Sequence, residues 1–411
     1  MMQSLKKISD LQGKRVLIRV DFNLPITEGE AADGSGWRIK SVIPTLEYLS
    51  KNGAKIIIIS HLGRPKGKDF NFSLYPIFLK LKELWRGDGL FFAQDVFGPD
   101  VESQINNLKD GEAVLLENLR FYKEEEENDE SFAEKLSKYG DVFINDAFAA
   151  SHRAHASIVG IPNFLKSFAG FLMEKEIAVL TAIRDKPRRP LVLVMGGAKA
   201  ETKLKLVRHF LDKSEAIILG GVLANTLFLA KNMDIGASVV EEDLLDNAKK
   251  LNITLNNLHL PVDVLTSKSL ITPNDLKVRP AGLVGPDEFI VDIGPDSVKL
   301  FSKIIGTAKM VIWNGTLGLT EIPAFKKGSL EIANAISQIS GEKIIGGGDL
   351  INFLDEENLI GKMSYVSTGG GAMLEFLAGD ILPGIEALSR QIASDATNAI
   401  DYQTERDRDN K

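Results

Sequence analysis

Apolar and polar positions along the chain alternate between two signals, short apolar runs and longer stretches with helical spacing. Residues 14–20 (KRVLIRV) are the first apolar run, ending at Asp21, Phe22, Asn23 and Leu24, with Pro25 stopping any continuation. Ile43, Leu46 and Leu49 predict a helix over 39–52 that closes at Gly53. Residues 55–60 hold four isoleucines and lead into His61, Leu62, Gly63, Arg64 and Pro65. Helical spacing over 73–85, a weaker run at 90–93 and a helix over 101–108 follow. Residues 113–117 read as a strand delivering Asn118, Leu119 and Arg120; a helix over 131–139 and a strand over 141–145 then lead to 146–153 (DAFAASHR). Strands alternating with helices predict a parallel, doubly wound sheet.

Residues 171–184 (FLMEKEIAVLTAIR) space Leu172, Ile177, Leu180 and Ile183 as an amphipathic helix, which the charged, proline-broken segment 184–190 then ends. This helix divides the chain. The expected organisation is a first domain over 1–170, a hinge helix over 171–187, a second domain over 188–384, and a C-terminal segment over 385–411 with a polar tail that returns towards the first domain. The fold class is α/β, with two doubly wound parallel-sheet, Rossmann-like domains joined by that hinge helix.

Beyond the hinge the same alternation resumes, and the strand ends change character. Residues 191–194 (LVLV) run into Gly196 and Gly197, then Lys199 and Lys203, four apart and so on one face of a helix. Later apolar runs end at Gly220-Gly221, at Asp263, at Gly294, at Asn314-Gly315-Thr316-Leu317-Gly318, at Gly346-Gly347-Gly348-Asp349-Leu350 and at Gly369-Gly370-Gly371. Strand, glycine turn and helix start form an anion-binding pattern, since bare N–H groups and the positive dipole end face the ligand. Neither GxxxxGK[ST] nor GxGxxG occurs.

In doubly wound sheets ligands sit at the carboxyl ends of the strands. In the first half those ends carry His61, Arg64, Arg120 and Arg153, with Asp21 and Asn23 beside them and Arg38 in the loop after the first strand. Any one arginine reads as a surface ion pair; several converging ones point to a small, highly anionic substrate. The glycine-rich ends of the second half suit a polyphosphate and a flat base. His152 and His155 read as polar loop residues rather than a metal pair, and 124–127 (EEEE) as a solvated helix start.

Composition narrows the function. A net charge of -7 argues against general nucleic-acid affinity, and the absence of cysteine removes disulfides, thiolate metal sites and a cysteine nucleophile. The first residues lack the apolar core of a signal peptide, and no run approaches the roughly 20 apolar residues of a membrane span. The expectation is a cytoplasmic protein without membrane or nucleic-acid partners.

The segments RVDFNLP, HLGRP, LLENLRFYKEEE, NDAFAASHRAHAS, GGAKAETK, GGVLANT, LPVD, WNGTLG, GGGD and STGGGA, collinear over nearly the whole chain, together resemble the phosphoglycerate kinase family. The resemblance implies reversible phosphoryl transfer between 1,3-bisphosphoglycerate and ADP, giving 3-phosphoglycerate and ATP, by a monomer that uses Mg²⁺ bound with the nucleotide. It implies that Asp21, Phe22, Asn23, Arg38, His61, Leu62, Gly63, Arg64, Arg120 and Arg153 bind the glycerate substrate. Arg38 and Lys199 would act on the moving phosphoryl. Lys203, Asn314, Glu321, Gly347, Gly348, Asp349 and Leu350 would meet the nucleotide, with Asp349 towards the metal. Hinge closure would then bring the two substrates together.

The departures from the family pattern cluster in the nucleotide half: Leu350 for threonine or serine, Thr316 for proline, Thr320 for phenylalanine, Tyr365 for histidine and Met373 for serine. They bear on nucleotide affinity and preference. The alternative is a catalytically impaired nucleotide- or partner-binding relative. A nicotinamide-dependent oxidoreductase lacks its glycine fingerprint here.

Overall fold

The computed structural model describes residues 2–27, 29–31, 36–87, 89–198 and 200–390. The chain divides into two compact units, one comprising the residues up to Val179 together with those from Ile381 onwards, the other Leu180–Asp380. The division falls inside the helix Phe171–Asp185.

The first unit is built on a six-stranded parallel sheet in the order Leu90–Phe92, Ala113–Leu115, Lys55–Ile59, Arg15–Arg19, Val142–Asn145, Ser167–Ala169. Because side chains alternate across a strand, each strand feeds two cores. Val16, Ile18, Ile56, Ile58, Leu115 and Ile144 pack with Ile39, Val42 and Leu46 of the helix Gly36–Lys51 and with Ile77 and Leu81 of the helix Tyr75–Leu84. Leu17, Ile57, Ile59, Val114 and Phe143 pack on the opposite face with Val101 and Ile105 of the helix Pro99–Asn106 and with Phe132 and Leu136 of the helix Glu130–Ser137. Isoleucine-rich strands are what a sheet covered on both faces requires. The register sets Arg19 opposite both Ile59 and Asn145, so the carboxyl ends of the central strands finish in one row.

The second unit repeats the plan with the order Leu258–His259, Ala216–Leu219, Leu191–Met195, Met310–Asn314, Glu342–Gly346, Tyr365–Ser367. Register again aligns the ends: Leu219, Met195, Asn314, Gly346 and Ser367 form one row. The strand order reverses between Leu191–Met195 and Met310–Asn314, where a doubly wound sheet opens its crevice.

Two expectations are corrected here. Phe289–Ile293 is not a strand of the parallel sheet; it pairs antiparallel with Asp263–Ser267, which also pairs antiparallel with Lys277–Pro280. Asp263 begins a strand of that small sheet rather than ending one. The physical reason is visible in Lys277–Pro280, whose residues are alternately exposed and half-buried, the mark of a sheet with one face in water.

Candidate functional site

At the cationic edge of the first unit, Arg38 lies in the first turn of the helix Gly36–Lys51, not in a loop, and its guanidinium is 3.4 Å from Asp21. Asp21 also accepts the Asn23 N–H at 3.0 Å, and Asn23 Oδ1 accepts the Gly63 N–H at 2.9 Å, tying the first strand end to the second. Asn118 holds the third: its Oδ1 accepts from Leu62 N and Arg120 N, and its Nδ2 donates to the carbonyls of Leu62 and Phe72. Its amide is thereby saturated, which fixes the turn 61–64 against Arg120.

Arg120 is buried and donates to Gly63 O at 2.6 Å. Its Nε is 3.0 Å from a Glu126 oxygen without hydrogen-bond alignment, and neither Nε nor Nη2 finds an acceptor among the described residues. Burial pulls its pKa down to about 10. A buried guanidinium with donors to spare is suited to an anion. Arg153 is half-buried, its Nε 3.2 Å from His152 Nε2, and Arg64 is exposed. Phe22 and Leu62 turn their side chains into the core, so their backbone alone faces this edge; Phe22 N–H donates to Ser60 Oγ.

Beneath the arginines lies a buried layer in which His61, expected at the site, is joined by Arg19, Glu125 and Ser157, which were not. Arg19, Glu125 and Ser157 are fully buried, with His61 and His155 nearly so. The expectation of a solvated 124–127 is therefore overturned at Glu125, whose carboxylate accepts both the N–H and the hydroxyl of Ser157. The short helical turns Leu119–Phe121 and Lys123–Glu125 swing Glu125 inward while Glu124 is half-buried and Glu126 and Glu127 stay exposed. Burial, then the charges of the neighbouring arginines, hold both histidines neutral: His61 lies well below the usual range and His155 falls to about 3. The available signal was a charged residue at an inward position of RVLIR.

At the second edge, backbone meets backbone. A Cβ on Gly196 would sit 2.1 Å from Thr316 O, one on Gly221 2.6 Å from Gly197 N, and one on Gly370 3.0 Å from Gly347 Cα. The helices Ala200–Phe210, Gly221–Ala230, Gly348–Glu356 and Gly370–Leu377 all begin at this edge, directing first-turn N–H groups and dipoles there. Lys203 is buried, donates to Ala198 O, and sets its ammonium 3.2 Å from where a Gly315 Cβ would stand. Asn314 Nδ2 donates to Gly346 O at 2.7 Å. Lys199 lies outside the described residues.

Asp349 and Gly348 are exposed at the start of their helix, and nothing stands within 4 Å of a Gly348 Cβ. Leu350 is fully buried, so its side chain belongs to the core and only its N–H faces the edge. Met373 is buried as well, its sulfur where a side chain on Gly346 would sit. Glu321 is exposed, beside the buried Thr320.

Among the described residues no group of three or more histidine and carboxylate side chains is arranged to hold a metal, and no helix is long and apolar enough to cross a membrane. A lone exposed carboxylate in the first turn of the helix Gly348–Glu356 fits Mg²⁺ that arrives on a nucleotide, because Mg²⁺ keeps its waters and takes one or two carboxylates with the phosphates.

A family model described as phosphoglycerate kinase matches residues 5–380. The chain belongs to the phosphoglycerate kinase family. It is 43% identical over 388 residues to the phosphoglycerate kinase of Coprothermobacter proteolyticus, covering 92% of this chain and 97% of that one. It is 42% identical to a chloroplastic phosphoglycerate kinase of Arabidopsis thaliana, covering 93% of this chain and 81% of that one. Among solved structures, phosphoglycerate kinase from Pyrococcus horikoshii superposes with a TM-score of 0.83 at 32% identity over 94% of this chain and 98% of that one. The enzyme from Coxiella burnetii gives 0.77 at 36% identity over 95% of this chain and 100% of that one. The two parallel sheets are thus the phosphoglycerate kinase fold, and the chain is a phosphoglycerate kinase by activity, an ATP-binding kinase of glycolysis.

Proposed function

We propose that the chain moves a phosphoryl group reversibly between 1,3-bisphosphoglycerate and ADP, with the glycerate at the cationic edge of the first unit and the nucleotide at the glycine edge of the second. The observation that carries this assignment is the contrast between the edges: buried donors of Arg120 with no acceptor among the described residues on one, four helix N-termini over close-packed glycine turns on the other.

In this reading Arg120, Arg153 and Arg64 neutralise the glycerate phosphate. Asp21 and Asn23 take its hydroxyl end and Arg38 orients its carboxyl group. Lys199 follows the transferring phosphoryl, Lys203 steadies the nucleotide phosphates, and the amides of Gly347, Gly348 and Leu350 line them. Asn314 secures the neighbouring turn, Glu321 takes the ribose hydroxyls, and Asp349 meets Mg²⁺. The metal supplies charge neutralisation on the nucleotide phosphates. An acyl phosphate attacked by ADP requires positioning and charge neutralisation rather than a general base, which suits edges rich in cations and N–H donors. We also assign a cytoplasmic monomer that binds neither nucleic acid nor membrane. The test is a coupled assay with 3-phosphoglycerate, ATP and Mg²⁺; absence of turnover at millimolar substrates overturns the assignment.

A further inference from the structure

Arg19 touches three acceptors. Its Nε donates to Ser157 Oγ at 2.8 Å, its Nη1 donates to Val20 O, and its Nη2 lies 2.9 Å from His61 Nδ1. Ser157 Oγ donates in turn to Glu125 Oε1 at 2.6 Å, and Glu125 Oε2 accepts the Ser157 N–H at 2.9 Å. The direction of every hydrogen bond in this chain is determined. A guanidinium has no acceptor, so the bond to His61 runs from arginine to Nδ1. Ser157 has one hydroxyl proton, given to Glu125, and so receives from Arg19. With Nδ1 an acceptor, the single proton of the neutral ring is on Nε2. A protonated ring would set two N–H donors against each other.

We infer that Arg19, held in place by Ser157 and Glu125, locks His61 as the neutral Nε2–H tautomer, making His61 a hydrogen-bond donor to an oxygen of the bound anion and never a proton acceptor. Among the described residues Nε2 has no hydrogen-bond partner, and the residue keeps 4% of its surface exposed. The charges around the ring agree: Arg19, Arg120 and Arg153 all oppose a further positive charge, His155 beside them is itself neutral, and the Glu125 carboxylate stands 3.9 Å from both Arg19 Nη2 and His155 Nδ1. Arg19, Ser157 and Glu125 are positioning residues, since they act through His61.

Ring ¹⁵N spectra of the full chain decide the matter. The Nε2–H pattern should persist from about pH 5.5 to about pH 8.5, across the range where an ordinary imidazole titrates. An Nδ1–H pattern, or titration near the ordinary value, overturns the inference. Ser157→Ala should loosen Arg19, mix the two tautomers, and raise KM for 3-phosphoglycerate about fivefold with kcat and KM for MgATP within about twofold. Ser157→Thr, which keeps the hydroxyl, should restore both readouts. A Ser157→Ala spectrum identical to the wild type removes Ser157 from the lock, and if that variant does not fold the wild-type spectrum still decides. The KM readout rests on the proposed function. The spectrum does not, so an inactive chain with an Nε2–H ring would sink that function and leave this inference standing.

Discussion

The carboxylate of Asp292 accepts the Gly328 N–H at 2.5 Å, at the first turn of the helix Lys327–Gln338. Asp292 is almost fully buried and has no ion pair among the described residues; burial pushes its pKa up to about 7 against the pull of the Gly328, Ile293 and Ser329 amides. One residue along that helix, Ser329 Oγ accepts from both Leu317 N and Gly318 N at 3.0 Å. The turn 314–318 is thus fastened from behind while its other side rests on Gly196 and Gly220. Ser329→Ala should raise KM for MgATP several-fold, about the value of one or two hydrogen bonds, and leave KM for 3-phosphoglycerate unchanged. Steady-state kinetics with each substrate varied in turn checks this.

The same carboxylate makes stability depend on pH. A folded pKa of about 7 exceeds the unfolded value near 3.8, so the folded protein holds a proton that the unfolded chain has lost. Its contribution is fully present below the unfolded pKa and lost as pH rises through the folded one. Asp146, raised to about 6, adds a loss of the same sign, whereas the depressed His61 and His155 give stability that is lost as pH falls. The Asp292 part is isolated by difference: Asp292→Asn should flatten the fall in denaturation midpoint between about pH 5 and pH 7 relative to the wild type.

Two glycines separate packing from access. Gly196→Ala forces a methyl against Thr316 O, so it should lower the melting temperature and raise KM for MgATP more than about tenfold. Gly348→Ala meets open space and should leave the melting temperature unchanged or higher. Thermal denaturation of the two variants side by side checks both.

Leu350→Thr tests the departure at the end of GGGD. Because Leu350 is fully buried, threonine there exchanges core methyl groups for a hydroxyl and should cost about 2–4 kcal/mol of stability. No gain in nucleotide affinity should accompany it, since the leucine N–H already serves the edge. Chemical denaturation together with KM for MgATP would show the opposite if threonine tightened binding without loss of stability.

Arg38→Ala and Lys199→Ala should each lower turnover by at least about a hundredfold with circular dichroism unchanged, as expected for charges that act on the reacting group. Near-normal kcat in either variant removes that residue from the mechanism.

Much of the fold was legible because the isoleucine and valine runs of a two-faced parallel sheet leave few alternatives, and Arg120 and Lys203 lie in the turn and the helix start that follow the strands Ala113–Leu115 and Leu191–Met195. What was not legible depended on contacts between distant segments. Glu125 reads as one of four identical neighbours until a short helical turn selects it for burial opposite Ser157. Arg19 reads as an ordinary strand residue until Ser157 and His61, from two distant segments, meet its guanidinium. Asn118 declares nothing by composition, yet it ties three turns together. The antiparallel sheet around Asp263 escaped for a related reason: a run of apolar residues states that it is a strand and not which neighbour it will choose.

The chain leaves its first unit at Val179 and re-enters it at Ile381, where Gly384 donates to Ser151 O at 2.9 Å and packs against Ile158. Synthesis runs from the amino end, so the second unit is complete on the ribosome while its elder neighbour still lacks a piece. The first unit, begun first, finishes last. A nascent chain released between Arg153 and Ile381 would carry every cation of the first edge and still be missing the segment that backs the loop containing Arg153.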